Sequence, residues 1–364
     1  MRLAPAVVCA ACSAITASVA IFTGSAPAQP PESAAWSRRP ELPDPHGFAG
    51  MFAGVSEGHL IAAGGANFPN GYPWEGGKKT WSDAVYVLDA PDGAWRKVAG
   101  RLPRAMGYGV FASHGDRVIV AGGESPTPEG TGTAPRREVF AMRWTGDDVS
   151  LEKLPPLPRP MMSGCGAVLG ATLYVAGGAA SPTESLRTFW SLDLAAGENG
   201  RWIELEPWDG PSRILAVTAT HEGRVYLLSG AELSAGPDGQ PARRYLRDAH
   251  CYTPGSGWRR IADLPRAAVA APSPAPVASG RLLVLGGDAA LELHLPQAER
   301  TGFPADVLAY DAADDRWETA GAVPASRVTV PTVLWRDEWY VISGEKRPGV
   351  RSPEVWSFRP TVPP

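Results

Sequence analysis

The chain has 364 residues, 44% of them hydrophobic, with 41 Gly, 37 Pro and a formal net charge of −4. That length holds one large β domain or two ordinary ones, and the glycine and proline content suits many tight turns between short strands. The charge excludes the basic footprint of a nucleic-acid binder and a basic patch for anionic lipid.

Residues 1–28 read as an export signal. Met1-Arg2 is a minimal positive start, Leu3 to Phe22 is rich in Ala, Val, Ile and Cys, and Ala26-Pro27-Ala28 is a small-x-small cleavage site before Gln29. The mature protein is then expected in the periplasm or secreted, without membrane insertion once the signal is removed. An uncleaved anchor is the alternative, because the apolar stretch is borderline in length for a span. Cys9 and Cys12 leave with this segment. Cys165 and Cys251 fall on strands of different repeats and make no disulfide framework. Neither they nor the scattered His residues supply the convergent ligands of a metal site.

From residue 29 to 360 one pattern recurs, followed by a short Pro-rich tail at 361–364. Each copy has an apolar run ending in Gly-Gly or Ser-Gly, a variable loop, a further apolar strand, usually a Trp, and then Leu-Pro or Val-Pro. The doublets begin at Gly64, Gly122, Gly177, Ser229, Gly286 and Ser343, 52 to 58 residues apart. A period near 50 with these features is the mark of kelch-type propeller blades. Repeat two reads as strands Tyr108 to Ala112, Arg117 to Ala121, Val139 to Trp144 and Leu151 to Leu154. The last repeat, Val328 to Phe358, lacks a fourth strand. Trp36-Ser37-Arg38-Arg39-Pro40-Glu41-Leu42-Pro43 carries the fourth-strand signature ahead of the first repeat. The expectation is an all-β, six-bladed kelch-type β-propeller, closed by an N-terminal strand that completes the last blade and removes the open edges. The Trp residues of the fourth strands are expected to pack between blades.

Any site then lies on the loops at one mouth of the central channel. Arg104, Arg159, Arg213, Arg266 and Arg327 follow the blade-ending prolines, and Glu124, Glu232, Asp288 and Glu345 follow the doublets. The two sets are expected to alternate around the rim, where free arginines would grip a planar carboxylate; the same residues also suit structural pairs between blades. The loop after Gly65 is long and rich in aromatics, with Asn67, Tyr72, Trp74, Glu75, Lys78, Lys79 and Trp81. Aromatics beside polar groups suit a sugar ring, whereas the plainer reading is a lid that only packs over blade one. In the last blade Lys346, Arg347 and Arg351 lie close in sequence to Glu345. A carboxylate kept ionised by cations is a candidate base; Glu345 also fits a structural ion pair.

Two motifs carry a resemblance. Gly64-Gly65-Ala66-Asn67-Phe68-Pro69 with Pro73-Trp74-Glu75-Gly76-Gly77-Lys78-Lys79, and Gly344-Glu345-x-x-Pro348-Gly349-x-Arg351, resemble the N-acetylneuraminate epimerase (sialic acid mutarotase) family, more closely its cyclically permuted branch. The resemblance covers roughly residues 34 to 358. It implies a periplasmic six-bladed kelch propeller that converts the α-anomer of N-acetylneuraminate, a small sugar acid, to the β-anomer. It also implies Glu345 as the proton acceptor, and anomerisation needs no cofactor. Arg351, or else Arg347 or Arg104, would hold the substrate carboxylate. Lys78, Lys79, Glu75 and Tyr108 are candidate acids, and Asn67, Glu124 and Arg213 complete the candidate binding set. The rival readings are a non-catalytic propeller that binds a glycan or protein, and a mutarotase for another sugar. The repeated Ser-x-Asp-x-Gly-x-Thr-Trp boxes of sialidases are absent, as are the surroundings a copper oxidase would need around Cys165 or Cys251.

Overall fold

A computed structural model describes Met1 and residues 35–130 and 132–360. Apart from Met1, the expected export signal lies outside the described residues, as does the tail at 361–364. The described chain forms six antiparallel sheets, five of four strands and one of five, arranged as the blades of a β-propeller. Its helical content is three short 3-10 turns, Pro73–Glu75, Leu194–Asn199 and Gln297–Glu299.

In blades one to five the strands run in chain order from the axis outward. Blade two consists of Val110–His114, Arg117–Ala121, Val139–Trp144 and Val149–Leu154. The second strand shows why its sequence is apolar at consecutive positions. Val118 and Val120 pack into the cluster shared with blade one, which includes Phe52 and Val87. Ile119 and Ala121 pack into the cluster shared with blade three, which includes Val175 and Trp190. Alternate side chains face opposite neighbours, so both faces are core.

The ring closes as the repeats require. Trp36–Arg39 pairs antiparallel with Val355–Phe358, in the register Trp36 to Phe358 and Arg39 to Val355. Arg39 adds a 2.5 Å ion pair to Glu338 and a 2.8 Å hydrogen bond to Ser357 Oγ. Removing residues 35–40 exposes the outer edge of blade six. The expected outcome is a lower melting temperature with aggregation on heating, read by calorimetry and light scattering; an unchanged transition would count against this closure.

Tryptophans of the fourth strands join neighbouring blades. The indole N–H groups of Trp95, Trp202, Trp258 and Trp317 donate to the carbonyls of Pro40, Pro155, Glu206 and Ala262, each in the preceding blade. Both residues of every doublet sit at positive φ, from 55° at Ser229 to 105° at Gly123. At Gly177 an added Cβ would lie 2.4 Å from the Arg213 carbonyl, so the next blade's entry loop sets the need for glycine. Where serine takes the first place, its hydroxyl replaces lost space with bonds: Ser343 Oγ accepts from Phe48 N at 2.8 Å and donates to Ser352 O at 2.7 Å.

A second ring, made of backbone alone, surrounds the axis at the mouth. Gly50, Tyr108, Ser163, Leu215, Ala270 and Thr329 stand at equivalent positions before or within the first strands. Each N–H donates to the carbonyl of its counterpart in the preceding blade, at 2.7 to 2.9 Å, until Gly50 closes the circle on Thr329. All six have positive φ, and the five non-glycine members lie between 50° and 55°. Left-handed backbone costs about 1–2 kcal/mol per such residue, which the inter-blade bonds offset. Tyr108 is therefore not the strand residue that the sequence suggests; it is a throat residue. Below the ring the channel is lined by apolar side chains such as Met51, Val110, Cys165 and Val330.

Candidate functional site

The last blade carries the most defined cluster. Residues 345–351 form a small hairpin, with Glu345 directly opposite Arg351 and Arg347 opposite Val350. Pro348 and Gly349 occupy the turn, and Gly349 has φ 87°, the left-handed value that the second central residue of a type II turn requires. The spacing of the motif thus turns Glu345 and Arg351 toward each other. Arg351 Nη2 lies 3.5 Å from Glu345 Oε2, and the Gly349 N–H donates to Glu345 Oε1 at 2.7 Å. Lys346 is exposed on the hairpin and takes no part in this contact.

Arg351 is the hub. Its side chain is 7% exposed, its guanidinium stands 4.6 Å from the centre of the Phe68 ring, and Nη2 donates to Tyr108 Oη at 3.4 Å. Its Nε is buried without a partner. Burial pulls the guanidinium pKa down, but Tyr108 and Glu345 outweigh it and the net shift is upward.

Blades one and two complete the cluster. Lys79 Nζ lies 4.1 Å from the centroids of both the Trp81 and Tyr108 rings and 3.1 Å from Glu124 Oε1. Glu124 Oε2 accepts from Thr133 Oγ1 at 3.1 Å. One side of the mouth therefore joins Glu345, Arg351, Tyr108, Lys79 and Glu124. Blades three, four and five present an apolar cluster that includes Met162, Leu233 and Val269.

The lid, residues 66–81, crosses onto blade six. Tyr72 and Trp74 stack at 4.8 Å, and Arg347 lies 5.0 Å over the Trp74 ring while donating to the carbonyls of Ala298 and Arg300. Arg347 thus pins the lid and the loop of blade five, away from Glu345. Glu75 accepts from the Tyr72 N–H at 3.0 Å and caps its own 3-10 turn. Asn67 is buried and donates to Asp44 at 3.3 Å, anchoring the lid. Lys78 is exposed. An added Cβ at Gly349 would lie 3.0 Å from Trp74 and 2.9 Å from Gln297. Gly349→Ala is expected to cost about 1 kcal/mol from backbone strain and to lift the lid, with faster protease cleavage between residues 68 and 78 as the readout.

The arginines after the blade-ending prolines do not line the mouth. Arg104 pairs with Glu138 at 2.9 Å, Arg213 with Asp248 at 2.5 Å, and Arg266 with Asp306 at 2.7 Å; Arg327 pairs with Glu354. Each acid stands at the start of the third strand of the blade that the arginine enters. Arg159 has Thr188 at the corresponding place and lies over the Trp190 ring instead. These are clamps within a blade, and Arg213, with no exposed surface, is unavailable to a ligand. The acids after the doublets have other partners as well: Glu232 pairs with Arg244 at 2.7 Å, and Asp288 accepts from Tyr245 Oη at 2.8 Å. The sequence reading leaves Thr133 out of the site and gives Phe68 and Gly349 no role beyond their motifs. Only the Pro-Gly turn around Gly349 announces its role in the sequence. Among the described residues no three His, Cys, Asp or Glu side chains converge as metal ligands.

Residues 23–151 match the family model described as N-acetylneuraminate epimerase. Over that stretch the chain is similar to proteins named N-acetylneuraminate epimerase. The epimerase of Pasteurella multocida (strain Pm70) is 34% identical over 134 residues, 32% of this chain and 34% of that protein. The epimerase of Yersinia enterocolitica is 37% identical over 132 residues, 32% of each chain. That of Haemophilus influenzae (strain PittEE) is 36% identical over 104 residues, 25% of this chain and 27% of the relative. The chain thus spans about a third of the length of the curated epimerases it matches. The region matched to the epimerase family includes the lid, Tyr108 and Glu124 but stops short of Glu345 and Arg351. A solved structure, that of YjhT, superposes with a TM-score of 0.65 over 86% of this chain and 94% of its own, at 16% identity, which fixes the shared fold.

Proposed function

We propose that the protein interconverts the anomers of N-acetylneuraminate, α to β, by opening and reclosing the sugar ring. The observation that carries this reading is the facing of Glu345 and Arg351 across one hairpin at the mouth, beside Tyr108. Ring opening needs a base at the anomeric hydroxyl and an acid at the ring oxygen. Glu345 is the base. Arg351 holds the substrate carboxylate with guanidinium donors that its contacts to Tyr108 and Glu345 leave unfilled. The named epimerase relatives support the sugar acid as substrate. A family match that ends near residue 151 is what a permuted blade order produces, and the doublet repeats support kelch-type blades. The composition of residues 1–28 supports export to the periplasm or beyond. Among the described residues no helix is long and apolar enough to cross a membrane.

The test follows freshly released α-anomer by proton NMR, with and without protein, against an analogue whose carboxylate is reduced to an alcohol. Acceleration is expected for the acid and at least tenfold less for the alcohol. Equal acceleration of both would remove Arg351 from its role, and none for either would end the reading.

A further inference from the structure

We infer that Tyr108 is the acid that protonates the ring oxygen, and that Lys79 is the residue that positions it. This rests on the anomer-exchange reading above.

Tyr108 is the one member of the throat ring with an ionisable side chain; the other five are Gly50, Ser163, Leu215, Ala270 and Thr329. It enters from blade two, lies across blade one and ends against blade six. Its path is built for it. An added Cβ at Gly50 would stand 2.7 to 2.8 Å from the Tyr108 ring, so the phenol crosses the ring at its only position without a side chain. The phenol ring meets Lys79 Nζ at 4.1 Å from its centre, and Trp81 meets it edge-on at 5.6 Å. Glu124 fixes Lys79 in turn. The backbone of Tyr108 is locked at φ 54° by hydrogen bonds on both sides of the ring. A proton donor needs this kind of fixed placement.

The hydroxyl ends where chemistry is wanted. Arg351 Nη2 is 3.4 Å from Tyr108 Oη and 3.5 Å from Glu345 Oε2. The two oxygens are therefore separated by less than the two distances together. The anomeric hydroxyl and the ring oxygen share one carbon, so hydrogen bonds of about 3 Å from each residue span the substrate between them. The competing acids are otherwise engaged. Glu75 caps its own turn, Lys78 points to solvent, and Lys79 is held by Glu124 and two rings.

The proton balance closes. Glu345 takes the proton from the anomeric hydroxyl, the new C=O forms, and the bond from the anomeric carbon to the ring oxygen breaks with its electron pair going to that oxygen. Tyr108 gives the ring oxygen its proton. The resulting phenolate faces Arg351 and Lys79. After the ketone turns, Tyr108 recovers the proton from the hydroxyl as it attacks the other face, and Glu345 returns its proton to the carbonyl oxygen. Both residues end as they began.

The experiment measures anomer exchange of N-acetylneuraminate by NMR and its binding by calorimetry. Wild type, Tyr108→Phe, Lys79→Met, the double variant, and a protein with 3-fluorotyrosine at position 108 are compared. Tyr108→Phe is expected to slow exchange by about a hundredfold or more with affinity within about threefold. The fluorotyrosine protein is expected to remain active and to lose rate at lower pH on the alkaline side, because the more acidic phenol gives up its proton earlier. Lys79→Met should slow exchange less than Tyr108→Phe, and the double variant should be no slower than Tyr108→Phe alone. A Tyr108→Phe rate within about threefold of wild type, or an unmoved alkaline limb, overturns the acid role. A double variant slowed by the product of the two single effects overturns the positioning role of Lys79. Wild type that does not outpace buffer overturns the anomer-exchange reading, and this inference falls with it; the wild-type arm separates that failure from the others.

Discussion

Glu345→Gln is expected to slow anomer exchange by about a hundred- to ten-thousandfold, the usual contribution of a positioned proton acceptor. The amide keeps the shape of the side chain and an oxygen for the Gly349 N–H, so the hairpin should keep its fold, with a lower melting temperature because buried Arg351 loses its carboxylate. What it removes is the charge beside Arg351, whose side chain is 7% exposed. A buried guanidinium without its carboxylate is a stronger host for a substrate carboxylate. Glu345→Gln should therefore bind N-acetylneuraminate more tightly while turning it over more slowly. Calorimetry and NMR exchange read the two effects separately. A rate within threefold of wild type would leave Glu345 as a structural partner of Arg351.

Arg213→Leu carries the largest expected effect on stability. Arg213 is wholly buried, 2.5 Å from Asp248, with Nη1 donating to Ser229 O at 2.8 Å and the guanidinium 5.1 Å from the Trp208 ring. Removing one partner of a buried pair leaves the other uncompensated, at a cost of about 3–5 kcal/mol. A fall in melting temperature of roughly 10 °C follows. The double variant Arg213→Leu/Asp248→Leu should be less destabilised than the sum of the single changes. The pair also sets an acid limit. Burial alone would push the Asp248 carboxyl up, but the hydrogen bond from His250 and the nearby Arg213 hold it at about 2. A carboxyl depressed in the folded state contributes stability above its unfolded pKa of about 3.9, and that stability is lost as pH falls from there toward 2. Wild type should lose stability across that window and Arg213→Leu should lose less. A single variant melting within 2 °C of wild type would show that the clamp is dispensable.

Much of the fold was legible because blades repeat. Doublet spacing gave six sheets, and the missing fourth strand after Phe358 pointed back to Trp36, where it is found. Periodicity also showed that the arginines after the prolines are equivalent, but equivalence carries no direction. Their partners are Glu138, Asp248, Asp306 and Glu354, which recur as regularly as the acids after the doublets. Choosing between two regular acid series requires knowing which one the side chain reaches. The throat ring left no trace in the sequence, since backbone bonds between blades ask for no particular side chain, and five of its members are not glycine. The pairing of Glu345 with Arg351 was the most readable part of the site, because a Pro-Gly turn sets the register of its hairpin. Lys79 and Tyr108 stood apart in the sequence, and only the fold brings both rings and the ammonium together.

A crystal structure of the protein soaked with N-acetylneuraminate tests the location of the chemistry most directly. The sugar is expected over the mouth of blades six, one and two, with its carboxylate on Arg351 and its anomeric hydroxyl within hydrogen-bond reach of Glu345. A sugar bound at the opposite opening of the channel, or held with its carboxylate away from Arg351, would contradict this placement.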